Sequence, residues 1–116
     1  MAPFTFPKDE RLLNREDFVN LNRLGRRQHT AHFTIIFMEN GLGIRRVGIT
    51  VNRKTGNAVK RNKLKRRIRE FYRLHKSDFP EGFDIAIAAK RGAADLEFFT
   101  IKEELGESLL RKTLRV

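Results

Sequence analysis

The sequence predicts a small α+β protein, a sandwich in which helices pack on one mixed β-sheet of about four strands. Three observations carry that prediction. The chain has 116 residues, room for one compact domain. Residues 33–37 and 47–51 place apolar side chains at every second position, the period of a strand. Residues 58–75 instead repeat with helical spacing, and the whole chain runs helix, two or more strands, helix, strand, helix.

The elements can be justified in order. Residues 1–11 contain Pro3 and Pro7 and are expected to form an extended arm. The first helix is predicted to start at Asn14, a good N-cap, with Asp17 in its first turn and Leu13 and Phe18 in the two staple positions. Phe18 and Leu21 then face inward, and Gly25 ends the helix. Phe33, Ile35 and Phe37 alternate with Thr34 and Ile36, and Val47, Ile49 and Val51 alternate with Gly48 and Thr50. Asn40-Gly41-Leu42-Gly43 between them is a turn sequence, which predicts a hairpin. Gly56-Asn57 opens a helix that runs to about His75, with Leu64, Ile68, Phe71, Tyr72 and His75 on one face. Phe79-Pro80-Glu81-Gly82 breaks the chain, and 83–89 (FDIAIAA) reads as a buried strand. Thr100 with Glu103 forms a capping box for a last helix striped by Ile101, Leu105, Leu109 and Leu110. No repeat or low-complexity tract divides 1–116, so the chain reads as a single domain.

Composition narrows the partner. Lys and Arg number 25 against 14 Asp and Glu, a formal net charge of +11. A small domain this cationic repels itself, and a polyanion relieves the repulsion. Cysteine is absent, which excludes disulfides and thiolate metal sites and fits a reducing compartment. No apolar run reaches the roughly 18–20 residues that span a bilayer, and the N-terminus lacks a signal peptide's apolar stretch, so the cytoplasm is expected.

The charge is concentrated. Residues 53–76 hold eleven Lys or Arg and one acid, Glu70, a local balance of +10. On the predicted helix, Leu64, Ile68, Phe71 and Tyr72 point inward. Asn62, Arg66, Arg69 and Arg73 form the opposite stripe, flanked by Lys63 and Lys65. Arginine forks grip phosphate oxygens, so the stripe suits a sugar–phosphate backbone. Lys60, Arg61 and Lys63 occupy the first turns, where the helix macrodipole disfavours cations. That pattern predicts an anion site at the helix N-terminus around Asn57 and Lys60, with Arg53 and Lys54 just before it. An ordinary solvated face mixes signs, as Arg15, Glu16 and Asp17 do. A membrane-surface helix needs a broader apolar face than this one.

These residues carry a resemblance. Gly56-Asn57-Ala58-Val59, then Arg61-Asn62-Lys63-Leu64-Lys65-Arg66 and Ile68-Arg69, resembles the RNR signature of the bacterial ribonuclease P protein component family. Arg11-Leu12 with Asp17-Phe18, Arg46-Val47-Gly48-Ile49 with Arg53-Lys54, and 83–96 are similar to further parts of that family, in order, over about 11–114. The resemblance implies an α/β sandwich with a left-handed βαβ crossover, against the usual right-handed rule. It implies the protein subunit of an endoribonuclease in which the RNA subunit carries the catalysis, with Mg2+ held by that RNA. The partners implied are the catalytic RNA and precursor tRNA, with no membrane and no obligate protein partner. By position, Arg61, Asn62, Lys63, Lys65, Arg66, Arg69 and Arg73 would face the catalytic RNA. Phe18, Thr34, Ile36, Arg53 and Lys54 would line or border a cleft for the single-stranded 5′ leader. Lys63 departs from the motif's second arginine and lacks its planar fork. Asn22 and Ile36 stand where the family often has cleft aromatics, leaving Phe18 as the stacking candidate.

Catalysis by the protein itself is not expected. Glu16-Asp17 and Glu103-Glu104 read as pointing to different helix faces, and His29 and His32 lack an evident third metal ligand. A structural ribosomal or chaperone-like RNA binder would share the fold and the charge. A DNA-binding module fits less well, since no helix offers base-reading polar residues apart from the phosphate-type bases.

Overall fold

In the computed structural model, which describes residues 7–12 and 14–109, the 83–89 segment is the centre of the architecture. Asp84 apart, its side chains are apolar on both faces, so the strand it forms must be covered on both sides and paired on both edges. Strand β4 (Phe83–Ala89) does this in a four-stranded sheet of order β1-β2-β4-β3, with β1 Arg26–His29, β2 Phe33–Glu39 and β3 Arg46–Thr50. β1 pairs antiparallel with β2, β2 antiparallel with β4, and β3 parallel with β4. The sheet is therefore mixed.

Three helices cover it: α1 (Arg15–Leu24), α2 (Ala58–His75) and α3 (Phe98–Leu109). The α2 and α3 side holds the larger core. There Phe33, Ile35 and Phe37 of β2 and Ile85 and Ile87 of β4 meet Leu64, Ile68, Phe71 and Tyr72 of α2 and Ile101 and Leu105 of α3. The α1 side has a smaller cluster of Leu12, Leu21, Ile36 and Ala86, with Phe18 and Met38 packed against it. Phe79, part of the predicted chain break, is fully buried and meets the Tyr72 ring edge-on at 4.9 Å between centroids.

Several expectations are corrected. The hairpin between 33–37 and 47–51 does not form, because β4 inserts between β2 and β3. The turn sequence does turn the chain, with Asn40 bonding the Leu42 amide and the Ile44 carbonyl, but it joins strands that are not neighbours. The hairpin is instead β1–β2, and β1 (Arg-Arg-Gln-His) carried no apolar period by which to find it. Its charged, exposed residues suit an edge strand, where like-charged side chains discourage pairing with other chains. Val51 lies beyond the end of β3.

The described part of the N-terminal arm is not extended. Lys8–Glu10 form a 3-10 turn, Arg11 bridges Val47, and the Leu12 amide donates to the Val47 carbonyl at 3.0 Å. Glu10 accepts from the buried Tyr72 hydroxyl at 2.7 Å and pairs with Lys76 at 2.8 Å. Burial and that acceptor push the Tyr72 hydroxyl pKa far above its ordinary value.

Asn14 caps α1 as expected, its side chain accepting from the Glu16 amide at 2.8 Å. Leu13 and Leu110 lie outside the described residues. Gly25 ends α1 in extended rather than left-handed backbone, and a Cβ there would stand 2.6 Å from the Leu21 carbonyl and 2.8 Å from Ile36 Cγ2. Glycine is required there for room. The capping box at Thr100 is also displaced: α3 begins earlier, the Ile101 amide bonds the Glu97 carbonyl at 3.1 Å, and Thr100 lies within the first turn.

Candidate nucleic-acid interface

Helix α2 sorts its residues as its spacing predicts. Leu64, Ile68, Phe71 and Tyr72 are buried, while Asn62, Lys63, Arg66 and Arg69 are exposed and Arg61 and Lys65 are partly so. Arg73 belongs to the same stripe but is engaged in a two-point ion pair with Glu70, at 2.9 and 2.7 Å. That contact lowers the Glu70 pKa and raises that of Arg73. Arg67 turns back into the protein and donates to the Leu96 carbonyl. The outward face is thus cationic from Arg61 to Arg69, and its one acid has a local partner.

The start of α2 is built by Gly56 and Asn57. Gly56 has φ of 154° with ψ of −172°, a conformation open essentially only to glycine. Asn57 then caps the helix, its side-chain oxygen accepting from the Lys60 amide at 3.0 Å. The Lys60 ammonium reaches Asp95 at 3.2 Å, so the fold itself brings a carboxylate to this end of the helix. Both partners of that pair are more than half exposed (52% and 69%), and an exposed pair of this kind is easily exchanged for another anion. Arg53 and Lys54 are exposed on the 3-10 turn Arg53–Thr55, with Asn52 capping the Lys54 amide at 3.0 Å.

The cleft opens where α1, the edge strand β3 and α2 meet. A cavity of about 260 Å3 is lined by Arg11, Leu12, Phe18, Val47, Gly48, Ile49 and Arg69. Phe18 lies directly over Gly48, where a Cβ would stand 2.4 Å from Cζ of the ring. Of the residues predicted for the cleft, the structure brings Phe18 to this cavity. Thr34 lies on the same sheet face but two residues further along, half-buried and 3.2 Å from His29 Nδ1. By register, Thr34 sits beside Ala88, and Ala88 beside Thr50, which leads toward Arg53 and Lys54. Ile36 is corrected. It is 5% exposed and belongs to the cluster beneath α1, so it supports the helix and offers no surface to a ligand. Asn22 is exposed, and its carbonyl accepts from Arg27 at 2.9 Å.

Sequence reasoning missed Gly48 and Arg11 as cleft residues, and it assigned Arg69 to the helix stripe alone. A glycine inside a strand was the available signal, since it marks a close approach of another group to the backbone. Arg69 is the geometric link, on the cationic face of α2 and at the Phe18 cleft together.

His29 and His32 both have partners within the fold. His32 bonds Glu104 through its ring (2.8 Å) and its amide (2.7 Å), whereas His29 turns to Thr34. Glu103, Glu104 and Glu107 border one cleft near His29, closer together than the sequence suggested. Among the described residues, no group of three His, Asp or Glu side chains converges as a metal-ligand set.

Comparison with known proteins places this geometry. A family model described as Ribonuclease P matches residues 6–113. The ribonuclease P protein component of Geotalea uraniireducens (strain Rf4) is 46% identical over 111 residues, covering 96% of this chain and 97% of the relative. Among solved structures, the RNase P protein from Thermotoga maritima superposes with a TM-score of 0.79 at 38% identity, over 86% of this chain and 94% of that one. The Staphylococcus aureus RNase P protein gives 0.79 at 33% identity, over 84% and 90%.

Proposed function

The chain belongs to the ribonuclease P protein family, and from that premise we propose that it binds the catalytic RNA through α2 and the 5′ leader of precursor tRNA through the Phe18 cleft. The protein and the catalytic RNA together form the endoribonuclease, which acts on precursor tRNA to release mature tRNA 5′ ends. The observation that carries the reading is the position of Arg69. Arg69 stands both on the exposed cationic stripe of α2 and in the lining of a cavity that presents an aromatic ring.

The protein's part is binding and counter-charge. Arg61, Asn62, Lys63, Lys65, Arg66 and Arg69 meet phosphates of the catalytic RNA, with Arg73 at the end of the stripe. Phe18 stacks on a leader base, while Thr34 floors the path toward Arg53 and Lys54. Asn57 and Lys60 border a phosphate at the start of α2, which would take the place of Asp95 on Lys60. Mg2+ is held by the RNA in this reading. Cations delivered by the protein reduce repulsion between packed phosphates and so reduce the Mg2+ needed. The reading requires no membrane and no second protein. Among the described residues, no helix is long and apolar enough to cross a membrane. A cytoplasmic site of action, where tRNA precursors are processed, accords with that.

The test is cleavage of precursor tRNA by the cognate catalytic RNA at low Mg2+, with and without the protein. Cleavage should rise several-fold on addition, and the protein should prefer precursor over mature tRNA. Equal affinity for the two tRNAs, with no gain in cleavage, would instead identify a general structural or chaperone-like RNA binder.

A further inference from the structure

Asp84 is the one acid among the described residues that is essentially removed from water, at 3% exposure. A buried carboxylate must be paired. Arg46 pairs it with a two-point fork, Nε to Oδ1 at 2.8 Å and Nη2 to Oδ2 at 2.7 Å, and Asn40 adds a third bond at 2.9 Å. Those contacts raise the Arg46 pKa, so the fork stays charged. They would satisfy Asp84 by themselves. Yet the remaining guanidinium nitrogen, Nη1, donates to Asp17 Oδ2 on α1 at 3.1 Å. One side chain therefore joins β3, β4 and α1.

The placement matters because of what lies beside it. Asp17 immediately precedes Phe18. Arg46 and Gly48 are two residues apart on β3, hence on one face of the sheet, opposite Asp84 and Ala86 of β4. Gly48 and Ala86 give α1 a smooth floor with few side chains to interdigitate. Apolar packing fixes the depth of the helix there better than its position along the strands.

We propose that the Asp17–Arg46–Asp84 bridge is a positioning device for leader recognition, holding the first turn of α1 so that the Phe18 ring stays over Gly48 at the mouth of the cleft. Arg46 and Asp17 act through Phe18 and touch no RNA. The proposal rests on the reading that this cleft takes the leader.

Asp17 is the residue to change. Its side chain is about one-third exposed (31%), and Asp17→Asn leaves the Arg46–Asp84 fork intact. Replacing Arg46 would strand a buried charge and unfold the domain. The holoenzyme, reconstituted with the cognate catalytic RNA, is assayed on precursor tRNA carrying either a full leader or a single-nucleotide leader. Asp17→Asn should raise KM for the full leader about three- to tenfold, within the range of coupling between contacting groups, with kcat unchanged and the short-leader substrate unaffected. Asp17→Glu should restore most of the loss. Phe18→Ala should cost about five- to hundredfold in the same KM, the span of one lost base–aromatic stack. In the Phe18→Ala background, Asp17→Asn should have no further effect. Full additivity of the two changes, or an equal loss on both substrates, overturns the proposal, because a merely structural Asp17 behaves that way. If Phe18→Ala lowers leader preference and Asp17→Asn does not, the positioning role alone is wrong. If Phe18→Ala itself is silent, the leader-cleft reading falls and the proposal with it.

Discussion

Glu104 joins α3 to the turn between β1 and β2, accepting hydrogen bonds from the Thr30 hydroxyl and from the amide and ring of His32. Burial alone would raise its pKa, but those three donors outweigh burial and hold it below the ordinary carboxylate range. The sign follows directly. A carboxylate with a depressed folded pKa stabilises the native state above its unfolded value, about 4.3, and the stabilisation is lost as pH falls through the lower folded value. Denaturant melts of the free protein between pH 7 and pH 3 should show stability falling below about pH 4.5. In Glu104→Gln that acid-side fall should be shallower, and the variant should be the weaker protein at pH 7. Parallel pH profiles for the two proteins would remove Glu104 from this role. None of this was legible at residue scale. His32 and Glu104 are 72 positions apart, and only the packing of α3 against the hairpin brings them together.

At the scale of elements, legibility followed the range of the contacts involved. Helix α2 could be read to the residue at its start, because a glycine, an Asn cap and a four-residue apolar spacing are all local signals. β4 was equally plain from its composition. The β2–β3 hairpin failed because period and turn residues report the strands and the turn but not which strand inserts between them. β1 was invisible because an edge strand need not be apolar. The candidate site divides in the same way. Its α2 half was readable, since charge on one helix face is a local pattern, whereas the cleft half depends on Gly48 lying under Phe18. Neighbouring arginines on α2 therefore predict opposite phenotypes. Arg66→Glu with Arg69→Glu should abolish assembly with the catalytic RNA while circular dichroism and the melting curve stay near those of the parent. Arg67→Ala should lose about 1 kcal/mol of stability with its bond to the Leu96 carbonyl, and assembly in gel-shift titrations should be unchanged. Normal assembly by the doubly reversed protein would mean that α2 is not the RNA-facing helix.

At the scale of the molecule, the excess charge gives salt two opposing effects. A net +11 is carried on a body of about 36 × 34 × 27 Å, most of its excess on one loop and one helix. With the Debye length near 10 Å at 0.1 M salt, charges on one face repel each other strongly at low ionic strength and much less above it. The free protein should therefore gain stability as NaCl rises from 20 to 300 mM, its Tm increasing by about 3–6 °C, equivalent to roughly 1 kcal/mol in a domain of this size. Affinity for RNA should fall over the same range, with a log–log slope near −0.7 for each phosphate engaged along single-stranded RNA and steeper along helices. Both trends come from one charge distribution, so one set of Arg and Lys substitutions on α2 should flatten both together. The measurement pairs calorimetry of the free chain with salt-dependent binding of the catalytic RNA. A variant with a reduced binding slope but an unaltered stability response would show that the cations gripping RNA are not those that strain the free fold. The repulsion that salt relieves in the free fold would then come from cations dispersed over the rest of the surface, outside the stripe on α2.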